Sequence, residues 1–268
     1  AGFITDIKDD SKKILEIHFS KFKRLQYNRK GWWRWVDVWR TKQDERIARR
    51  FDRFVVLTEE DKANWGDMDN ICVIPNANTF STKQTSLLNT RKVISIGRYS
   101  YQKGFDRLIK AWKTVNRVCP EWTLDIIGEG EEKSKLQSLI YHENLDGSVR
   151  LMPATSDIIN VYLGASVVAM SSHYEGLPMV LLEAQSLGLP IVAFACQCGP
   201  KDIISDGETG FLVPEGDVEG LAEKLITVIK DNVLRLSMGK QAKEASRRYE
   251  EEAVMQLWMD IFQTVMKA

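Results

Sequence analysis

The chain is poor in several things that define other protein classes. No apolar run approaches the roughly eighteen residues that a membrane-crossing helix needs, so the sequence contains no candidate span. Its first residues, Ala-Gly-Phe-Ile-Thr-Asp, lack the layout of a secretory leader, and a cytoplasmic location is expected. Four cysteines (Cys72, Cys119, Cys196, Cys198) include one Cys-x-Cys but no Cys-x-x-Cys pair, and the three histidines (His18, His142, His173) are scattered, which argues against a structural zinc site. Excess charge of either sign is missing too: 37 Lys plus Arg balance 37 Asp plus Glu, so no nucleic-acid partner is expected. What the sequence does have is length and apolar content. With 268 residues, 44% of them hydrophobic, it can bury the core of one large or two modest domains.

From Arg91 onward, short β-branched runs alternate with longer helical periods, the pattern of a doubly wound parallel α/β sheet. Strands are expected at 93–96, 123–127, 149–152, 167–171, 191–195 and 211–213. Helices are expected near 104–118, 131–144, 156–164, 179–187 and 200–205, then 218–230, 234–249 and 252–266. Ligands of such sheets bind beyond the carboxyl ends of the strands. The unusual polar segments fall there: Gly97-Arg98, Gly128-Glu-Gly130, Pro153-Ala-Thr155 and His173-Tyr-Glu-Gly176.

The last of these opens Glu175-Gly-Leu-Pro-Met-Val-Leu-Leu-Glu183, where a buried strand ends, a Gly-Leu-Pro turn follows and a helix begins, with Pro178 suited to its first position. The amides of Gly176, Leu177, Met179 and Val180 would then face an anion, reinforced by the partial positive charge of the helix start. Helical side chains tilt toward the N-terminus, so Glu183, one turn in, would point back to the mouth. Two carboxylates flanking one anion site can accept hydrogen bonds from neutral hydroxyls beside the phosphates. The loop Gly97-Arg98-Tyr-Ser-Tyr-Gln-Lys103-Gly104 brackets two long cations between glycines. Alone, Arg98 and Lys103 also fit exposed or helix-capping roles; beside the acidic segment they point to the same diphosphate.

These motifs, with Asp206-Gly-Glu-Thr-Gly-Phe-Leu-Val213, resemble over residues 50–268 the retaining glycosyltransferases of family 4, which have the two-lobed GT-B fold. The resemblance implies a C-terminal lobe that binds a sugar nucleotide, transfer with retained configuration, and no metal or other cofactor. It implies that Arg98 and Lys103 contact the donor diphosphate, that Glu175 meets the sugar hydroxyls, and that Glu183 meets the ribose. The amides of Gly176, Leu177, Met179 and Val180 would cap the phosphates, with Gly97 beside them, while Gly128, Leu151, Met152 and Pro153 would frame the base. The acceptor hydroxyl would attack from the face that the diphosphate leaves; a carboxylate nucleophile at Glu175 is the other route to retention. Cys196-Gln-Cys-Gly-Pro-Lys-Asp-Ile-Ile204 is similar to the loop of members that use UDP-hexoses or UDP-N-acetylhexosamines, whereas Pro153-Ala-Thr155 departs from the glycine common there and leaves base selectivity open.

Three parts are expected: a partial N-terminal, acceptor-side lobe with its linker (1–90), a donor-binding domain (91–250), and a terminal helix (251–268) covered by the N-terminal lobe or by its own domain. The first part offers strands 13–17, 53–57 and 71–74 and a helix 42–51, a thin sheet that reads as the tail of a longer lobe. His18 follows its first strand as a family histidine facing the donor sugar does. Between 21 and 40, Trp32, Trp33, Trp35 and Trp39 alternate with Lys21, Lys23, Arg24, Arg29, Lys30, Arg34 and Arg40 against the single acid Asp37. Such a segment fits either peripheral contact with the inner membrane face, in keeping with lipid-linked acceptors, or a packed lobe with a basic rim. The activity expected is transfer of a hexose or N-acetylhexosamine from a UDP-sugar to a glycan or lipid-linked saccharide. The alternatives are a nucleotide-sugar-binding lobe with little turnover and a UDP-N-acetylglucosamine 2-epimerase.

Overall fold

A computed structural model of the chain describes residues 2–26, 31–80 and 82–267. Two parallel sheets organise it. The first has three strands in the order β1 (Ile14–Glu16), β2 (Arg53–Val56), β3 (Ile71–Val73). Helices α1 (Lys23–Gln26) and α2 (Trp32–Ala48) connect β1 to β2, and α3 (Glu59–Trp65) connects β2 to β3. The Trp-rich stretch is therefore the start of a helix, ten residues earlier than expected at Lys42, and Arg29 and Lys30 lie outside the described residues. Its helical form keeps Asp37, Thr41 and Ala48 on a buried face while Trp32, Trp35 and Trp39 lie opposite, 56–77% exposed. Helix α3 was not foreseen, because Glu-Glu-Asp-Lys-Ala-Asn-Trp has no apolar period. It is specified by its start: the Thr58 hydroxyl accepts from the Asp61 amide at 3.0 Å, and three acids fill the first turn.

The second sheet contains β4 (Lys92–Ile96), β5 (Thr123–Ile127), β6 (Val149–Met152), β7 (Val167–Met170), β8 (Ile191–Phe194) and β9 (Gly210–Val213), in the order β6-β5-β4-β7-β8-β9. Between successive strands run α4 (Phe105–Val118), α5 (Lys133–His142), α6 (Ile158–Leu163), α7 (Met179–Ser186) and α8 (Pro200–Ile203). Beyond β9 follow α9 (Val218–Lys230), α10 (Asn232–Ala245) and α11 (Glu251–Lys267). One layer, with Leu108 and Trp112 of α4 and Leu221 and Leu225 of α9, covers Val93, Leu124, Val167 and Val192. The other, with Tyr162 of α6 and Leu181 and Leu182 of α7, covers Ile94, Val168, Ile191 and Ala193. Both faces being covered, the central strands are continuous apolar runs. The strand order reverses between β4 and β7, so the crevice for a ligand opens where the Gly97 loop and the Ser171–Pro178 loop leave the sheet.

Residues 74–80 and 82–91 form neither helix nor strand, yet they are not a free linker. The Ser86 amide donates to Leu187 O at 2.8 Å, its hydroxyl donates to Ala165 O at 2.6 Å, and Leu88 is buried. Helix α11 returns to the first sheet, where Val254, Trp258 and Ile261 pack with Val55, Ile74 and Ile14. Asp202 of α8 receives the Glu59 amide at 2.7 Å, and Lys201 pairs with Glu60 at 3.1 Å, joining α8 to the start of α3.

Candidate functional site

The loop after β4 ends in a tight turn over Tyr101–Lys103 that closes on Gly104, whose left-handed backbone (φ 60°) only glycine adopts without strain. The same glycine lets two loops touch, since a Cβ there would lie 2.3 Å from Ser171 O. The turn sends the Lys103 stem across Gly97, where an added Cβ would meet Lys103 Cε at 3.0 Å. Lys103 Nζ thereby reaches Glu175 Oε1 at 2.8 Å. Ser172 Oγ donates to that oxygen at 2.6 Å, and Gln102 Nε2 lies 3.5 Å from Oε2 and 3.1 Å from Tyr174 O. Glu175 is 8% exposed, so its charge rests on these partners. Ser172 and Gln102 were not singled out from sequence; only their position beside Glu175 and Lys103 could have suggested them.

Helix α7 begins at Met179, and Pro178 caps it in an extended conformation (ψ 97°) instead of occupying the first helical position. Among the described residues, the amides of Gly176, Leu177, Met179 and Val180 donate to no protein acceptor. The Glu175 amide, by contrast, donates to Gln197 O at 2.6 Å, which fixes the loop from behind. Glu183 reaches across the first turn of α7: Oε2 takes a 2.7 Å bond from the Tyr162 hydroxyl and Oε1 a 3.2 Å bond from Thr79 Oγ1. Arg98 is exposed and its side chain has no hydrogen bond or ion pair with a described residue.

Gly128 packs its backbone on the Gly97 loop, where an added Cβ would fall 1.9 Å from Gly97 O. Its amide donates to Met152 O at 2.9 Å, and the Tyr99 hydroxyl lies 2.6 Å from the same carbonyl. Gly97, Gly128 and Met152 are thus one knot at the strand ends. Met152 is 40% exposed, Leu151 half-buried and Pro153 exposed. Met152 and Pro153 also line a cavity of about 400 Å³ with Ile94, Ile127 and Thr155. A second cavity, of about 270 Å³, lies between the sheets and brings His18, Ser20 and Lys23 to Gln102, Glu175, Gly176 and Leu177. Arg98, Gly97, Gly128, Leu151 and Glu183 do not line that cavity. The His18 ring is 59% exposed and 3.3 Å from Glu16.

Nearby groups support the site without facing it. Arg107 donates to Ser171 O at 2.6 Å and pairs with Glu215. Burial, and after it the Arg107 charge, holds the His173 imidazole below its usual pKa, and its ring stacks on Tyr101 at 4.2 Å. Cys196 and Cys198 are free thiols whose burial pushes both pKa values far up, so they pack as small neutral residues. No helix among the described residues is long and apolar enough to cross a membrane.

Residues 77–245 match the family model described as "Glycosyl transferases group 1". An uncharacterized glycosyltransferase of Haemophilus influenzae is 35% identical over 214 residues, covering 78% of this chain and 61% of the relative. The amylovoran biosynthesis glycosyltransferase AmsD of Erwinia amylovora is 35% identical over 220 residues, covering 78% and 62%. The chain thus spans about three fifths of the length of these relatives. The crystal structure of Anabaena Alr3699/HepE in complex with UDP superposes with a TM-score of 0.80 at 21% identity, covering 94% of this chain and 72% of that one. The fold is of GT-B type. With the whole second sheet and most of the segment that precedes it inside the matched range, the chain belongs to the group 1 glycosyl transferases.

Proposed function

We propose that the chain is the donor-binding part of a retaining, metal-independent glycosyltransferase of family 4 type, which moves a hexose or N-acetylhexosamine from a UDP-sugar to a glycan or lipid-linked saccharide. The observation that carries this reading is the set of four amides at the start of α7 that meet no acceptor among the described residues, beside the Lys103–Glu175 pair at the strand-order reversal. As the glycosidic bond breaks, negative charge grows on the diphosphate and positive charge on the sugar ring. Amide dipoles, Lys103 and Arg98 stabilise the leaving diphosphate in the way a divalent cation would. Glu175, with oxygens already held by three donors, accepts hydrogen bonds from sugar hydroxyls. The acceptor hydroxyl then attacks from the face the diphosphate leaves, and a phosphate oxygen takes its proton. UDP is favoured by the Cys196–Ile204 loop; the UDP complex of HepE concerns a chain alike in fold.

Melting the protein with a panel of nucleotide sugars tests this without an acceptor. At a hundredfold excess over Kd, UDP-sugars are expected to raise Tm by on the order of 5 °C, with EDTA making no difference. No shift with any nucleotide sugar would contradict the reading, and a shift abolished by EDTA would contradict metal independence. Epimerised UDP-N-acetylglucosamine in the absence of acceptor would favour the epimerase.

A further inference from the structure

Tyr162 is fully buried on α6, inside the layer that covers the second sheet, and reads in sequence as one more apolar helix position. Its hydroxyl emerges at a polar point, 2.7 Å from Glu183 Oε2 and 3.2 Å from Val180 O. A neutral donor to a carboxylate makes a stronger bond than one to a carbonyl, so the Tyr162 hydroxyl donates to Glu183. The ring is locked as well, edge-on to Phe80 at 5.8 Å. Burial and the Glu183 charge raise the phenol pKa well above its usual value, so the donor persists across the physiological range. Among the described residues the other oxygen, Oε1, meets only the hydroxyl of exposed Thr79, at 3.2 Å.

We propose that Tyr162 is a positioning residue for the donor ribose: by holding Glu183 Oε2 it presents Oε1, now capped by Thr79, as the acceptor for the ribose hydroxyls. The inference rests on the donor-binding reading above. A glutamate with free rotamers would have to be ordered on each binding event, whereas a tyrosine locked in the core has already ordered it. Thr79 leaves Oε1 when the ribose arrives, exchanging one neutral hydroxyl for another.

The test compares Kd for UDP and for 2′,3′-dideoxy-UDP by calorimetry. Wild type is expected to bind UDP at least about tenfold more tightly, the scale of a hydrogen bond to a charged group. In Tyr162→Phe the UDP affinity should fall by about tenfold toward the dideoxy value, while dideoxy-UDP binds as before. A loss of folding alone would weaken both ligands together. Discrimination undiminished in Tyr162→Phe overturns the role of Tyr162 and leaves the donor site standing. Wild type that binds UDP without discriminating overturns the ribose role of Glu183 too, and wild type that binds no UDP removes the reading beneath. If the variant does not fold, the wild-type UDP complex decides: ribose on Oε1 with Tyr162 still on Oε2 is expected, and ribose displacing Tyr162 from Oε2 refutes the proposal.

Discussion

Lys103→Ala is expected to lower kcat/KM for a UDP-sugar by on the order of 10³-fold, because on the function proposed above it removes a cation aimed at charge that grows in the transition state. A second loss comes with it. In the free protein Lys103 neutralises Glu175, whose side chain is 7% exposed, and without it the carboxylate keeps only Ser172 and Gln102. Removing one member of a largely buried pair costs on the order of 3 kcal/mol, so the variant should also melt lower. Lys103→Met separates charge from packing, since it keeps the stem that lies over Gly97. Turnover should fall equally in both variants, measured as kcat and KM for the donor. A Met variant with wild-type turnover would mean that the lysine acts through packing.

Gly104→Ala should destabilise the protein by about 3 kcal/mol or more, the range of backbone strain combined with overpacking. The backbone at Gly104 is left-handed, and the added methyl would sit 2.3 Å from Ser171 O, an atom of the neighbouring loop that cannot rotate aside. Separating the two loops would also draw Lys103 from Glu175, so donor affinity should fall with stability. Gly207 supplies the control. It has a similar φ of 78° but nothing within 4 Å of an added Cβ, so Gly207→Ala should cost only about 1 kcal/mol. Denaturant midpoints of the two variants check the contrast; equal costs would show that the loop contact contributes nothing.

The second sheet was legible because its strands are buried on both faces and its helices are amphipathic, so period and composition agreed at nearly every element. Most boundaries moved by only a residue or two: β7 stops at Met170, β8 at Phe194, and Pro178 became a cap; the helix expected over 234–249 instead stops at Ala245 and gives way to a 3-10 turn over Ser246–Tyr249. The first part was less legible where local chemistry overrides period. The indoles of α2 face outward, opposite to what an amphipathic reading assigns them, and α3 is set by its cap and its acids. The polar run after Ile74 looked like a linker because hydrogen bonds of backbone and serine hold much of it, and its apolar anchors, Phe80 and Leu88, are too far apart to show a period. At the site, Arg98, Lys103, Glu175 and Glu183 stood out as charges between glycines at strand ends. The groups that hold the two glutamates, Ser172, Gln102, Tyr162 and Thr79, are ordinary residues whose role exists only in three dimensions.

The proposed function requires that backbone amides at the head of α7 and two basic side chains grip a pyrophosphate. A crystal structure with UDP bound tests it most directly. Phosphate oxygens are expected at hydrogen-bond distance, about 3 Å, from amides among Gly176, Leu177, Met179 and Val180, with Lys103 and Arg98 turned onto them. UDP ordered elsewhere, or bound with those amides and both cations turned away from its phosphates, would contradict the account.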